Sequence, residues 1–385
     1  MRNRIYLDHA ATTAVSPEVM EEMAPFFTDS YGNPSAVYAT GREAHRALDQ
    51  ARKRAAAAIG ASPSEIYFTS GGSESDSWAL IGTAFANREK GNHLITTRIE
   101  HHAVLNTCGW LEKQGFRVTY LSVDPSGRVR PEEAERAITE DTILVSVMAA
   151  NNEIGTLQPV EEIGRICREK GVLFHTDAVQ AMGVIPVDAG AWGADLLSLS
   201  AHKFHGPKGT GLLYVRKGTR LDPLIHGGSQ ERGLRAGTEN LAGIAGMGKA
   251  MELAAAGIPE RAERLRTLRN RLIRGVTESI PGAVLNGDPE RRLPGNAHFL
   301  FPGIDGEALL LRMDLAGIAV SGGSACTTGS LEPSHVMEAL GRGEREARSS
   351  LRLSLGEENT EQEIDETVQT LARIVKELRE MRSGA

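Results

Sequence analysis

Between about residues 65 and 215, short apolar runs alternate with helical patterns, and this alternation constrains the fold more than any other feature of the chain. The runs are Ile66-Tyr67-Phe68-Thr69, Leu94-Ile95-Thr96, Val118-Thr119-Tyr120-Leu121, Ile143-Leu144-Val145-Ser146-Val147, Val172-Leu173-Phe174 and Leu196-Leu197-Ser198-Leu199. Such β-α-β alternation predicts an α/β fold with a mainly parallel sheet and helices on both faces. The unbroken apolar character of the runs predicts strands buried on both sides. Between them Ile163, Ile166 and Cys167 recur at helical spacing, which makes Cys167 a small core residue.

From Thr238 the pattern turns long and helical, through the Ala-rich run to Ala256, and restarts at Pro259. Strand-like stretches follow at 283–286, 297–301 and 351–355, with helices near 306–316 and from about 361, so a smaller α+β unit is expected after the large one. At roughly 150 residues per domain, 385 residues suit two or three domains. The division expected is 16–257 for the large domain and 258–385 for the small one, with residues 1–15 packing on the latter.

Hydrophobic residues form 41% and charged residues 24% of the chain, which excludes disorder for the bulk. Lys+Arg 43 against Asp+Glu 50 gives a net charge of −7, against a general nucleic-acid binder or a basic membrane-surface protein. No window approaches the roughly 20 apolar residues of a membrane span, and the start lacks a signal-peptide pattern. Cys108, Cys167 and Cys326 offer neither a disulfide framework nor a CxxC pair, so a reducing cytoplasm is expected.

Ligands of open parallel sheets gather beyond the carboxyl ends of the strands. Five runs deliver reactive groups to that edge: Ser70-Gly71-Gly72-Ser73-Glu74-Ser75-Asp76, Glu100-His101-His102, Asn151-Asn152-Glu153, Asp177-Ala178-Val179-Gln180 and Ser200-Ala201-His202-Lys203. Gly71-Gly72-Ser73 places flexible backbone before a helix, capped by Ser73 with Asp76 three positions on, where N–H groups can bind phosphate. Gly206 to Gly211 resembles a phosphate loop only superficially. A lysine such as Lys203 is commonly a solvated surface group, but at the mouth of a sheet it can form a Schiff base with a carbonyl cofactor. Asp177 is the carboxylate needed to keep a pyridine nitrogen protonated, the arrangement that makes pyridoxal phosphate an electron sink. His101 can stack on such a ring and move protons, or be a satisfied structural histidine. His102, His202 and His205 crowd the same neighbourhood without a carboxylate or cysteine at metal-ligand spacing, so no metal is expected.

Cys326 stands in the Gly/Ser/Thr-rich stretch 321–330, either as a travelling nucleophile or as an incidental surface thiol. Arg352 shares one face of Leu351-Arg352-Leu353-Ser354-Leu355 with Ser354; it suits bidentate grip of a carboxylate or simply faces solvent. Arg232 and Arg235 precede a helix whose start Thr238 would cap, a further candidate phosphate contact.

These residues, with Tyr6-Leu7-Asp8-His9-Ala10-Ala11-Thr12-Thr13, Tyr31-Gly32-Asn33-Pro34-Ser35, Asn151-Asn152-Glu153-Ile154-Gly155 and Ser324-Ala325-Cys326, stand in an order that resembles the cysteine desulfurases of the NifS/IscS type, pyridoxal 5'-phosphate enzymes of the class V aminotransferase fold (fold type I). The resemblance spans nearly the whole chain. It implies that Lys203 holds the cofactor, Asp177 pairs with its pyridine nitrogen, Gln180 contacts its phenolic oxygen, and His101 stacks on the ring and shuttles protons. It further implies that Gly72, Ser73, Ser200 and His202 bind phosphate, Thr238 does so from the neighbouring subunit of a homodimer, and Asn152 and Arg352 fix the substrate carboxylate.

The implied reaction converts L-cysteine to L-alanine with sulfur taken as a persulfide on Cys326, for a sulfur acceptor such as an Fe–S scaffold or a tRNA-thiolation enzyme. The stretch from Ser321 to Pro333 resembles the long-loop group, in which the cysteine travels. Gly72 and Ser73 stand where many relatives have Ala and Thr. The chain ends at Ala385 without the longer tail that housekeeping members use toward their scaffold, which leaves the acceptor open. A thiolate can also ligate an Fe–S cluster, but a lone cysteine is insufficient for one. Selenocysteine lyase, a catalytically silent interaction protein and an aminotransferase proper are the alternatives; the last predicts keto-acid products and little effect of Cys326→Ala.

Overall fold

The computed structural model describes residues 4–322 and 334–383; Cys326 lies outside the described residues. The strands are β1 (Ile5–Tyr6), β2 (Ile66–Thr69), β3 (His93–Thr97), β4 (Arg117–Leu121), β5 (Thr142–Ser146), β6 (Leu173–Asp177), β7 (Leu196–Ser200), β8 (Gly211–Val215), β9 (Val284–Asn286), β10 (Asn296–Leu300), β11 (Ile318–Ala319) and β12 (Ser350–Ser354). A seven-stranded sheet runs β2-β8-β7-β6-β5-β3-β4. Its neighbours pair in parallel except at β8, which is antiparallel to both β2 and β7. Strands β2, β3, β5, β7 and β8 are buried throughout, as their unbroken apolar runs require.

Strand β8 departs from the sequence expectation. The glycines before it form the turn into a strand: a Cβ on Gly211 would lie 2.5 Å from the backbone of Gly71, so only glycine lets β8 pass this close to the turn after β2. The outer edge of β2 is covered by the segment around Glu231. Arg52 donates to both carboxylate oxygens of Glu231 at 2.7 and 2.8 Å, while Arg232 donates to the Ile66 carbonyl at 2.6 Å and stacks 4.0 Å over the Tyr67 ring. Arg235 is paired with Glu74 at 2.9 Å. Both arginines expected near phosphate are therefore committed to closing the sheet edge and its following helix.

Helices cover both faces. In Val160–Lys170, Ile163 and Cys167 turn into the main core, and the helix stops at Gly171, whose φ of 69° is the left-handed cap that glycine adopts without strain. Helix Leu241–Ala255 is capped by Asn240, whose side chain accepts from Gly243 N at 3.2 Å, so the cap is not Thr238. No single helix among the described residues is long and apolar enough to cross a membrane.

A second core forms under the antiparallel sheet β12-β10-β9. Leu265, Leu268, Leu272 and Val276 recur at helical spacing on Ile258–Ser279 and share this core with Ile364, Leu371 and Val375 of Glu361–Ser383. Ile5 and Leu7 belong to it, and β1 pairs in parallel with β11. The chain then crosses back to the large sheet, where Thr13 N donates to the His202 carbonyl at 2.9 Å. Residues 8–13 thus lie between the two cores, over the carboxyl ends of the parallel strands.

Candidate active site

A cavity of about 280 Å³ opens at that edge. Gly72, Ser73, His101, Asn152, Asp177, Gln180, Ser200, His202, Lys203 and Arg352 line it, while Thr238, Arg232 and Arg235 do not. Asp76, His102, Glu153 and His335 line it too.

The turn after β2 enters helix Gly72–Ala86 through Gly71, whose φ is 157°, and no side chain caps that helix. Ser73 is therefore not the cap; Glu74 instead reaches back to accept from Ser70 N at 2.7 Å. A Cβ on Gly72 would meet Val179 Cγ2 at 3.0 Å and Ser200 Cβ at 3.5 Å, so glycine keeps open the space between helix start and β7. Thr12, Ser73, Ser200, His202 and Lys208 surround the same opening.

Asp177 ends β6 and accepts from Val179 N at 2.9 Å. Burial pushes its carboxyl up to about 6, while the Val179 N–H and the Lys203 charge pull the other way. Beside it Asp76 is only 1% exposed and its Oδ1 has no hydrogen-bond partner. Burial, then the neighbouring Asp177 charge, drives Asp76 well above the carboxylate range, so it is the neutral member of the pair. His175 Nε2 lies 3.7 Å from Asp76 Oδ1, but burial lowers the ring to about 3 and makes this a contact between neutral groups. Its two nitrogens are held by Ser146 Oγ at 2.8 Å and Ser198 Oγ at 3.0 Å.

Lys203 ends a single turn after β7. Its Nζ donates to the carbonyls of Ala10 and Ala11 at 2.7 and 2.8 Å. Gln180 Nε2 donates to the same Ala10 carbonyl at 3.0 Å, and His202 Nδ1 lies 3.1 Å from Thr12 Oγ1. The strap of residues 10–12 therefore sets the side chains that the sheet delivers.

His101 caps helix His102–Lys113: its Nδ1 accepts from Ala103 N at 3.1 Å. Burial, then the charge of Lys203, holds the ring down at about 4, so His101 is neutral with its proton on Nε2. Of the Asn151-Asn152 pair, Asn151 is structural, accepting from the N–H groups of Glu153 and Ile154, and Asn152 reaches the cavity.

Arg352 does not face solvent; it is 1% exposed. It donates to Asp8 Oδ1 at 2.8 Å and to the Asn152 carbonyl at 2.9 Å. The signal for Asp8 was a carboxylate in the segment expected to pack on the small unit, but pairing with Arg352 across the chain leaves no trace in spacing. His335 likewise reaches the cavity with no mark in the sequence pattern.

The chain matches the family Aminotransferase class-V over residues 5–367. It belongs to that family, a class of pyridoxal-phosphate-dependent proteins. Within the class, its full-length likeness is to the cysteine desulfurases of the IscS type. It is 55% identical to "Cysteine desulfurase IscS" of Clostridium botulinum over 99% of this chain and 96% of that protein. It is likewise 55% identical to the protein of the same name from Methanosarcina thermophila, over 98% and 93%. A solved structure described as "NIFS-LIKE PROTEIN" superposes with a TM-score of 0.92 at 43% identity, over 97% of this chain and all of that one. Another, "SspA in complex with cysteine", gives 0.82 at 41% identity, over 91% and 98%.

Proposed function

We propose that this protein is a pyridoxal-phosphate-dependent cysteine desulfurase that takes the sulfur of L-cysteine as a persulfide on Cys326 and releases L-alanine. The observation that carries the reading is the meeting of an amine, a carboxylate, a helix-capping imidazole and a guanidinium in one cavity, from Lys203, Asp177, His101 and Arg352. The residues fit the cofactor. Asp177 is a buried carboxylate suited to a ring cation, Lys203 lines the same space, and Gly72 keeps clear the space that a Cβ would fill beside Ser200. The start of the 15-residue helix Gly72–Ala86 adds N–H groups suited to a phosphate.

When bound, pyridoxal phosphate supplies the electron sink for charge released at the substrate Cα. Lys203, whose Nζ here donates to the carbonyls of Ala10 and Ala11, would hold the cofactor and would take up the proton from the substrate Cα. Asp177, whose charge is favoured by the Val179 N–H and by Lys203, would pair with the ring nitrogen. Gly72, Ser73, Ser200 and His202 hold the phosphate, and Gln180 orients the phenolic side. His101 would stack on the ring and, with its proton on Nε2, act as a donor. Arg352 and Asn152 seat the substrate carboxylate; Arg352 already faces one carboxylate, Asp8, so its fork is oriented before substrate arrives.

The sulfur then passes to an acceptor such as an Fe–S scaffold or a tRNA-thiolation enzyme, in the cytoplasm. Residues 16–257 and 258–385 act as two domains with the site between them. The active species is a homodimer. Supporting this, Phe27, Tyr31, Val37 and Tyr38 are 63, 73, 87 and 58% exposed on one stretch of chain, and Thr238 does not line its own cavity, as expected of a phosphate contact given to the other subunit.

The test is alanine formed from L-cysteine, with pyridoxal phosphate and a reductant, by wild type and Cys326→Ala. Alanine from wild type alone supports the reading. Equal alanine from both removes Cys326 as the sulfur acceptor, and none from either shifts the reading to selenocysteine or to a non-catalytic role.

A further inference from the structure

The loop between β5 and helix Val160–Lys170 carries Asn152 and Glu153 into the cavity. Within the loop, Asn151 Oδ1 accepts from Glu153 N at 2.9 Å and from Ile154 N at 3.0 Å. The loop carbonyls go to the second unit, where four in a row are each taken by a different donor. Arg352 donates to Asn152 at 2.9 Å, Asn296 Nδ2 to Glu153 at 3.2 Å, Arg292 Nη2 to Ile154 at 2.9 Å and Leu293 N to Gly155 at 2.8 Å. Leu157 N donates in the other direction, to the Arg291 carbonyl at 2.9 Å. The loop grows from the large sheet but is fastened to β12, to β10 and to the turn that precedes β10.

Arg292 is only 3% exposed, and its guanidinium also donates to the carbonyls of Asn296 at 3.1 Å and Asn286 at 3.2 Å. Burial, then the charge of Arg269, lowers it to about 9, which leaves it a cation at pH 7. Burying a cation costs stability, and the hydrogen bonds that Arg292 makes there hold the backbone of three segments. Asn296 is buried as well, and it reaches Glu153 because Gly155 has no side chain. At the Gly155 φ of 78° a Cβ would lie 2.6 Å from Asn296 Oδ1.

Resting on the desulfurase reading above, we propose that Arg292 and Asn296 are positioning residues for the substrate carboxylate: by holding the backbone of Ile154 and Glu153 they set the Asn152 side chain in the cavity. Neither lines the cavity, so each acts through the loop. The Asn152 carbonyl is bonded in turn to Arg352, which joins the two groups assigned to the carboxylate. Affinity for an amino-acid carboxylate therefore depends on the docking of this loop against the second unit. Asp177 and Lys203, carried by β6 and β7, are placed without it.

The test measures kcat and KM for L-cysteine, and equilibrium binding of L-alanine read by cofactor absorbance. It uses the cofactor-loaded wild type, Asn296→Ala, Asn152→Ala and the double variant. Asn296→Ala should raise KM and the L-alanine dissociation constant about 5-fold and keep kcat within about 2-fold, as one lost hydrogen bond that acts on binding would. Added to Asn152→Ala it should change either constant by less than about 2-fold, since the group it positions is gone. Equal factors in both backgrounds, or an unchanged L-alanine constant in the single variant, overturn the proposal and leave Asn296 a contact of the fold. Arg292→Lys keeps the charge and loses the planar fork, and should act in the same way at about 10-fold. If that variant does not fold, the Asn296 cycle decides alone. Wild type that forms no alanine from L-cysteine overturns the desulfurase reading instead, and the L-alanine titration still tests the positioning.

Discussion

The two walls of the cavity are built in different ways. On the sheet side, Gly72, Asp177, Ser200 and Lys203 lie at or just after strand ends, and each is placed by the pairing of its own strand. On the far side, Ala10, Ala11, His335 and Arg352 come from segments that meet only when the chain has closed on itself: Arg352 and Asp8 pair across 344 residues. The sheet wall is set strand by strand; the far wall is set by contacts between segments distant in sequence, such as Arg352 with Asp8. Losses on the first should fall on the reaction, whereas losses on the second should fall on assembly and substrate binding together.

The largest effect tests the first half of that contrast. Lys203→Ala should reduce alanine formation to background and abolish the absorbance of the lysine-bound cofactor, while the melting temperature of the cofactor-free protein stays near wild type. The variant gives up hydrogen bonds from Nζ to the strap carbonyls of Ala10 and Ala11, which lie outside the buried sheet. A melting temperature that collapses would show the sheet wall to depend on the strap as much as the strap depends on it.

Arg352→Ala should behave differently. Removing a fully buried guanidinium leaves Asp8 facing no cation, a change of about 3–5 kcal/mol in stability, and also raises KM for L-cysteine. Adding Asp8→Ala should recover part of the stability and none of the binding. Denaturant midpoints and KM of the two single variants and the double variant separate the roles; recovery of both quantities together would mean that Arg352 acts on substrate only through the fold.

This contrast also explains what could be read from the residues alone. The sheet wall was legible because each functional group lies within a few residues of a hydrophobic run that announces its strand, so Asp177 and Lys203 are located by position. Strand β8 was not legible, since its Gly-rich approach reads as a loop and its apolar run carries no mark of direction. The caps at Gly71 and Asn240 each lie two residues from the Ser73 and Thr238 expected, because capping depends on backbone angles that several neighbouring residues could serve. The far wall needed tertiary contacts: neither the burial of Arg352 nor its pairing with Asp8 follows from alternation on one strand, and His335 is marked by no motif of its own.

A smaller effect probes the electrostatics of the sheet wall. In the cofactor-free protein burial pushes the Asp177 carboxyl up to about 6, above the ordinary aspartate value of about 3.9. Its contribution to stability is therefore full below about pH 4 and is lost as pH rises through 6, a change on the order of 2–3 kcal/mol. Asp177→Asn should flatten the stability curve across that window, as urea midpoints from pH 4 to 7 would reveal. An unchanged slope would place the titrating proton elsewhere, on the Asp76 side of the pair.

The smallest effect separates a cap from a ligand contact on neighbouring residues. Asn240 accepts from Gly243 N at the start of helix Leu241–Ala255, a helix buried in the main core, so Asn240→Ala should cost about 1 kcal/mol of stability. Thr238 makes no such cap, and Thr238→Ala should change stability by less than about 0.5 kcal/mol. If Thr238 instead reaches the phosphate of the other subunit, its loss should weaken cofactor retention and leave thermal unfolding of the cofactor-free protein unchanged. Dialysis against cofactor-free buffer, read by absorbance alongside thermal melts of both variants, tests the pair. Equal cofactor retention by Thr238→Ala and wild type would remove Thr238 from the shared site, and the cavity would then draw its phosphate contacts from one chain alone.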